Sequence, residues 1–95
     1  MAEEDITLDN NPAASRYELH VGQDLAGVID YREEDGRLDL FHTGVEPEFG
    51  GRGLGQRIVE FALTDILDSG GRVIPTCPFI SRYIDAHPDF GDLVN

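Results

Sequence analysis

The sequence predicts a mixed α/β (α+β) domain in which an antiparallel meander is followed by strand-helix-strand-helix. Three observations carry this. The first half alternates apolar and polar residues in short runs separated by turn residues. At Leu54 the period changes to that of a helix and holds to Asp68. Between the two stands a glycine-rich junction, Glu46-Pro47-Glu48-Phe49-Gly50-Gly51-Arg52-Gly53-Leu54-Gly55.

Met1 to Ala13 is acidic, carries Asn and Pro and shows no periodicity, so it reads as a flexible N-terminal tail or a short edge, with 14–95 as a single domain. Tyr17-Glu18-Leu19-His20-Val21 alternates as a half-buried strand should, and Gly22-Gln23-Asp24 supplies a turn. Leu25 to Arg32 follows as a second strand, weighted by Val28, Ile29 and Tyr31. Glu34-Asp35-Gly36 predicts a hairpin, because Asp-Gly accepts the two positive φ values of a type I′ turn. Arg37 to Val45 is the third strand, with Leu38, Leu40 and His42 expected on one face and Phe41, Thr43 and Val45 on the other.

In the helix from Leu54, residues Leu54, Ile58, Phe61, Ala62 and Ile66 form the apolar face, and Gln56, Glu60, Thr64 and Asp68 the polar one. Ser69-Gly70-Gly71 stops it. Arg72 to Pro75 is a short strand, reached through a helix and so expected to lie parallel in a right-handed crossover. Pro78 suits the first turn of a closing helix that turns Phe79, Ile80, Tyr83 and Ile84 inward. His87-Pro88 ends that helix, and Phe90 and Leu93 fold the chain end back.

Composition bounds the partners. The 95 residues suffice for one modest core, and a 40% hydrophobic fraction argues against disorder throughout. Net charge is −12, from 19 acids against seven arginines and no lysine, which disfavours nucleic acid and anionic membranes. No apolar run approaches membrane-spanning length, the N-terminus lacks a signal-peptide pattern, and the single cysteine excludes an internal disulfide. The expectation is a cytoplasmic protein, monomeric or weakly dimeric.

Four glycines in the six positions 50–55 let the backbone approach a ligand closely. The first amides of the following helix lack partners within it and carry the positive end of its dipole, which together suit an anion, most often a phosphate. A Walker A loop is excluded by the absence of lysine, and a dinucleotide fingerprint by the G-x-G-x-G spacing from Gly51 and by the strands that precede it. The junction resembles the pyrophosphate loop of the GCN5-related N-acetyltransferases, Arg/Gln-x-x-Gly-x-Gly/Ala. Gly53 and Gly55 match the two small positions, and Gly50 stands where Arg or Gln is usual.

The resemblance extends along residues 14 to 94. Phe41-His42-Thr43-x-Val45, Val73-Ile74-Pro75-Thr76-Cys77-Pro78-Phe79 and Tyr83-Ile84-x-x-His87-Pro88 are similar to a small single-domain branch of that family, which keeps the cofactor core and lacks the usual substrate-binding helices. It implies a mixed sheet whose third and fourth strands splay apart around the pantetheine arm of acetyl-coenzyme A. Val45 and Glu46 would then offer backbone groups to pantetheine. The loop Gly50, Gly51, Arg52, Gly53, Leu54 and Gly55 would hold the pyrophosphate, and Pro78 would border the cofactor. Arg52, Arg57 and Arg82 are the candidate cations.

Three residues are candidates for chemistry. Cys77, just past the fourth strand, lies where the resemblance brings the thioester. The helix start after it would favour thiolate, against the alternative of a cysteine that only packs. His42 could take a proton from an ammonium acceptor, or be a core histidine bonded to backbone. Tyr83 could protonate the leaving thiolate, as a tyrosine does in related enzymes, or belong to the core. The histidines and cysteine show no zinc spacing.

The expected function is acetyl-coenzyme A-dependent N-acetylation of an amine, small molecule or protein, that the sequence leaves unidentified. The alternatives are a non-catalytic acyl-coenzyme A-binding module and a protein-interaction domain. One consequence needs no ligand. At net charge −12 self-repulsion is screened by added ions, with a Debye length of about 10 Å at 0.1 M. The melting temperature is therefore expected to rise between low and moderate salt, and a fall over that range would contradict this picture of the surface.

Overall fold

A computed structural model describes residues 5–94, arranged as a five-stranded sheet with two helices. The strands are β1 (Ile6–Asn11), β2 (Arg16–Val21), β3 (Asp24–Glu34), β4 (Arg37–Val45) and β5 (Val73–Ile74), hydrogen-bonded in that order. The first three pairings are antiparallel and β4–β5 is parallel. Helix α1 (Leu54–Asp68) connects β4 to β5, and α2 (Pro78–Ala86) follows β5. A 3-10 segment, Pro88–Val94, closes the chain with Phe90 and Leu93 buried. The mixed sheet and the meander-then-crossover order are those the sequence predicts.

One boundary differs. Ile6–Asn11 is a strand at the edge of the sheet, so of the two readings of 1–13, a flexible tail or a short edge, these residues take the edge. Ile6 and Leu8 alternate at period two, but Asp5, Asp9, Asn10 and Asn11 around them have poor strand propensity. The pairing with β2 supplies what the local sequence does not. Residues 1–4 of that tail lie outside the described residues.

The turn between β3 and β4 has φ of +54° at Asp35 and +78° at Gly36, as a type I′ hairpin requires. Helix α1 buries Leu54, Ile58, Val59, Ala62, Leu63 and Ile66, a wider stripe than expected because Val59 and Leu63 join it. It packs on the sheet face that carries Tyr17, Leu19, Ile29 and Leu40. Ile80 and Ile84 of α2 enter the same core.

A second difference lies in β4. The pairing with β3 runs Asp30↔His42 and then Tyr31↔Leu40, so Phe41 is the extra residue of a bulge. An added residue inverts the alternation beyond it. Thr43 pairs Ile29, which pairs Tyr17, and the Tyr17 hydroxyl reaches α1; Thr43 and Val45 therefore share the helix face with Leu40. His42 moves to the opposite face, where its Nε2 would stand 3.1 Å from a Cβ placed at Gly44. The expected grouping of His42 with Leu38 and Leu40 is thus corrected, and Phe41 is left 39% exposed beneath the Arg32 guanidinium, 4.8 Å from its ring centroid.

Helix and sheet are tied by Tyr17, which donates its hydroxyl to Asp65 Oδ2 at 2.7 Å. Its ring lies 5.5 Å from that of Tyr31 and 6.0 Å from that of Phe61. Burial, then the Asp65 hydrogen bond and the Asp65 charge, push the phenol far above its ordinary value. Tyr17→Phe keeps the ring contacts and lets the exposed Asp65 rehydrate, so the expected loss near pH 7 is about 1 kcal/mol. A phenol whose folded pKa is raised contributes stability fully present below its unfolded pKa of about 10 and lost as pH rises past it. Denaturant titrations should show the wild type weakening above pH 10 and the variant weakening less; an equal slope in both would assign the effect to other groups.

Candidate active site

The site begins where β4 loses its neighbour. Up to Leu40 the outer edge of β4 is paired: Leu38 donates to Arg72 O at 2.9 Å, and Cys77 donates to Leu40 O at 3.0 Å. The chain then turns into α2. After the Phe41 bulge the even-numbered residues face β3, as the bond from Glu46 N to Ala26 O at 2.8 Å shows. The backbone groups of Thr43 and Val45 accordingly point to the outer edge.

Beyond β4, Pro47–Phe49 makes a 3-10 turn whose Phe49 is buried. Gly51 and Gly53 adopt φ of +79° and +74°, the left-handed region that favours glycine. Gly53 is the N-cap of α1 and provides no side-chain cap, which leaves the amides of Leu54, Gly55 and Gln56 without acceptors in the helix. A Cβ at either Gly51 or Gly53 would meet nothing within 4 Å. The backbone there borders open space.

Thr43, Val45, Phe49, Gly50, Gly51, Gly53, Leu54, Gly55, Gln56 and Phe79 enclose a cavity of about 440 Å³. A Cβ added at Gly55 would lie 3.4 Å from Phe79 Cζ and 3.7 Å from Val45 Cγ2, touching two of its walls. One end therefore presents helix amides, the other Thr43. An anion suits the first end, and an extended chain suits the unpaired edge of β4.

Cys77 stands behind Thr43. Its Sγ lies 3.5 Å from Thr43 Oγ1, and the residue is 8% exposed. Burial alone would push the thiol up; the Thr43 hydroxyl, the Ile80 and Phe79 amides at the start of α2 and the Thr43 amide outweigh it and hold the thiol below its ordinary value. The cysteine is buried, as a packing residue would be, and also surrounded by donors, as a thiolate needs.

The expected site residues divide. Val45, Gly50, Gly51, Gly53, Leu54 and Gly55 line the cavity. Glu46 does not offer its backbone to a ligand, because its amide is bonded to Ala26 and its carbonyl accepts from Phe49 N at 2.9 Å. Arg52 lies outside the cavity wall, with its guanidinium 5.4 Å from the Phe49 ring centroid. Pro78 is exposed at the first turn of α2, also outside the wall. His42 is on the helix-free face, away from Cys77, because of the bulge.

Tyr83 lines an adjoining cavity of about 230 Å³ together with Gln56, Phe79, Arg82, Ala86 and His87. Its ring stacks on that of His87 at 3.9 Å, and the His87 Nδ1 lies 2.8 Å from Tyr83 O. Burial, and then the Glu60 charge, push its phenol up, so it stays a proton donor. Arg57 lies on a third surface, beside Leu8, Glu60 and Phe61. The three candidate cations do not converge. Among the described residues no group of three or more His, Cys, Asp or Glu side chains could hold a metal ion, and no helix is long and apolar enough to cross a membrane.

Sequence reasoning missed Thr43, Phe49, Gln56 and Phe79 as walls. Thr43 was hidden by the bulge, and Phe79 by helical spacing that puts it with the core residues Ile80 and Ile84. Gln56 was discoverable, since it is the third residue of a helix without a side-chain cap.

A family model described as GCN5-related N-acetyl-transferase matches residues 16–93. Among solved structures the chain is similar to a GCN5-like candidate N-acetyltransferase from Staphylococcus aureus, determined by NMR in solution. The TM-score is 0.69 at 18% identity, over 100% of this chain and 91% of that one. At that identity the likeness speaks for the fold alone. No curated protein matches the chain.

The surroundings of Cys77 can be tested without ligand. Its alkylation by iodoacetamide is expected to follow a single titration with an inflection below that of a free cysteine, whose ordinary pKa is about 8.5. An inflection at or above the free value would mean that burial wins and the sulfur only packs.

Proposed function

Because the chain belongs to the GCN5-related N-acetyltransferase family, we propose that it transfers an acetyl group from acetyl-coenzyme A to an amine. The observation that carries this reading is the cavity between the open edge of β4 and the start of α1, with free amides at one end and a donor-surrounded sulfur behind the other. The residues present fit the cosubstrate. The amides of Leu54, Gly55 and Gln56 meet its pyrophosphate, and Gly55 leaves passage between Phe79 and Val45 for its pantetheine arm. The Thr43 carbonyl and the backbone groups of Val45 pair with that arm as with an added strand. Acetyl-coenzyme A supplies an acyl group activated as a thioester.

Two routes remain, and different observations support them. In the direct one, the amine nitrogen attacks the thioester carbonyl carbon, the carbon–sulfur bond breaks, the departing sulfur takes a proton, and the nitrogen, now an amide, releases one to solvent. Tyr83, held protonated, is the acid on this side of the fold. In the other, the Cys77 thiolate attacks the thioester carbonyl first, the bond to the coenzyme A sulfur breaks and coenzyme A leaves as its thiolate. The amine then attacks the acetyl-cysteine carbon, breaks its bond to the Cys77 sulfur and passes its surplus proton to the coenzyme A thiolate or to solvent, freeing the Cys77 thiolate. The depressed thiol favours the second route, and the position of Thr43 between sulfur and cavity favours the first. Cys77→Ala separates them: wild-type turnover means direct attack, and loss of turnover with retained cofactor binding means transfer through the sulfur. His42, on the far face, is not needed by either.

Calorimetry with acetyl-coenzyme A is expected to show one site per chain. In Gly55→Ala the new methyl meets Phe79 at ordinary contact distance, so the protein folds, and alanine adds up to about 1 kcal/mol of helix propensity. The methyl also takes up cavity space between Phe79 and Val45, and affinity is expected to fall about tenfold, or about 1.4 kcal/mol. A stable Gly55→Ala protein with undiminished affinity would sink the assignment of the cavity. Binding without turnover across a panel of amines would instead identify a non-catalytic acyl-coenzyme A-binding module.

A further inference from the structure

Asp39 is a carboxylate only 4% exposed, on the sheet face opposite α1, and neither route uses it. Buried acids are costly unless hydrogen-bonded and paired, so its partners bear on what it does. One oxygen, Oδ1, accepts the Thr76 hydroxyl at 2.5 Å, and the other lies 3.5 Å from Arg32 Nε. Thr76 is the residue before Cys77. We propose that Thr76, held by Asp39, is a positioning residue for the Cys77 sulfur; this rests on the reading of Cys77 as a thiolate at the thioester end of the cavity.

The argument starts from the brevity of β5. Only Val73 and Ile74 pair with β4 as a strand, opposite Leu38 and Asp39. After them the chain turns sharply, with Thr76 N bonded to Ile74 O at 3.0 Å, and regains β4 through Cys77 N to Leu40 O. Two residues of parallel pairing are a weak hold on a turn that must aim a helix. The Thr76 hydroxyl adds a side-chain tie across 37 positions of sequence, from the turn to a carboxylate that is itself buried and braced by Arg32.

What the tie aims is the start of α2. Cys77 is the N-cap of that helix and gives no side-chain cap bond, and the carbonyl of Cys77 accepts from Ile80 N and Ser81 N, both at 3.0 Å. The sulfur's donors come from two elements, the Phe79 and Ile80 amides from α2 and the hydroxyl and amide of Thr43 from β4. They converge on one atom only while α2 starts at a fixed angle to β4. Thr76 lies at that corner. A hydrogen bond to a charged acceptor is among the stronger side-chain bonds, and here it is short and its acceptor is buried.

The test is the pH dependence of iodoacetamide alkylation at Cys77 in the protein without ligand. It compares wild type, Thr76→Val and Thr76→Ser, with melting temperatures measured alongside. Valine keeps the shape and removes the hydroxyl; serine restores the hydroxyl on a smaller residue. Thr76→Val is expected to move the inflection to higher pH and to lower the rate at neutral pH by about threefold or more, as the thiolate fraction falls. Thr76→Ser should return the wild-type inflection. A residue that merely stabilised the fold would lower the melting temperature of Thr76→Val and leave the inflection in place, and that result overturns the proposal. An inflection displaced equally in valine and serine variants also overturns it, because the hydroxyl would then not be the cause. If Cys77 of the wild type titrates as an ordinary buried thiol, the thiolate reading itself fails and the proposal fails with it. If wild type behaves as a thiolate and Thr76→Val does too, only the positioning role is lost.

Discussion

The bond from Cys77 N to Leu40 O, made just before β4 bulges at Phe41, is the constraint on which the site depends. Among the described residues it is the last backbone–backbone bond between β4 and the chain that follows β5. On its near side two strands run parallel and the sheet is closed. On its far side the chain leaves into α2 and the edge of β4 is open. Had the pairing continued through Thr43 and Val45, their backbone groups would be consumed and no cavity would exist. Sheet edges are normally blunted because they invite another strand. Here a short one is kept open and walled by Phe49, Phe79 and the start of α1.

The bulge gives that edge its chemistry. By inverting the alternation it turns Thr43 and Val45 toward the helices and sends His42 to the other face. The same residue shift selects which backbone groups look outward. Thr43 then does two things at once: its side chain lines the cavity, and its hydroxyl and amide reach the Cys77 sulfur. The end that presents helix amides is assembled independently, from two glycines in the left-handed region and a helix that begins without a side-chain cap. A protein of net charge −12 thus holds its candidate phosphate site largely with backbone dipoles, and the arginines at 52, 57 and 82 sit on three different surfaces. Amides bring positive potential to a cleft without the desolvation cost of a buried cation.

Stability is concentrated where the site is not. Leu19, Ile29, Leu40, Ile58, Leu63 and Ile80 are fully buried between the sheet and the helices, and Tyr17 joins β2 to α1 through Asp65. The five strands are otherwise neighbours in sequence order, so most pairing is local and α1 supplies the one long connection. The loop from Glu46 to Gly53 is anchored in that core by Phe49 alone, and the left-handed glycines follow after it.

Much of this was legible in the sequence. Period-two and period-3.6 patterns gave four of the strands and both helices, Asp35-Gly36 marked the hairpin, and the glycines of residues 50–55 marked the loop that borders the cavity, because each is a local preference of the chain written in neighbouring residues. What the sequence could not decide is non-local. Ile6–Asn11 is a strand because β2 offers partners, though its own residues favour coil. His42 left the site and Thr43 entered it because one extra residue in β4 is accommodated opposite Asp30 and Tyr31, and nothing in the run Arg37–Val45 distinguishes a bulge from regular alternation. The contacts of Cys77 with Thr43, and of Thr76 with Asp39, cross 34 and 37 positions. Local sequence determined the parts and the glycine loop; the distance at which β4 and β5 part, fixed only when the sheet is assembled, decided which side chains meet at the sulfur.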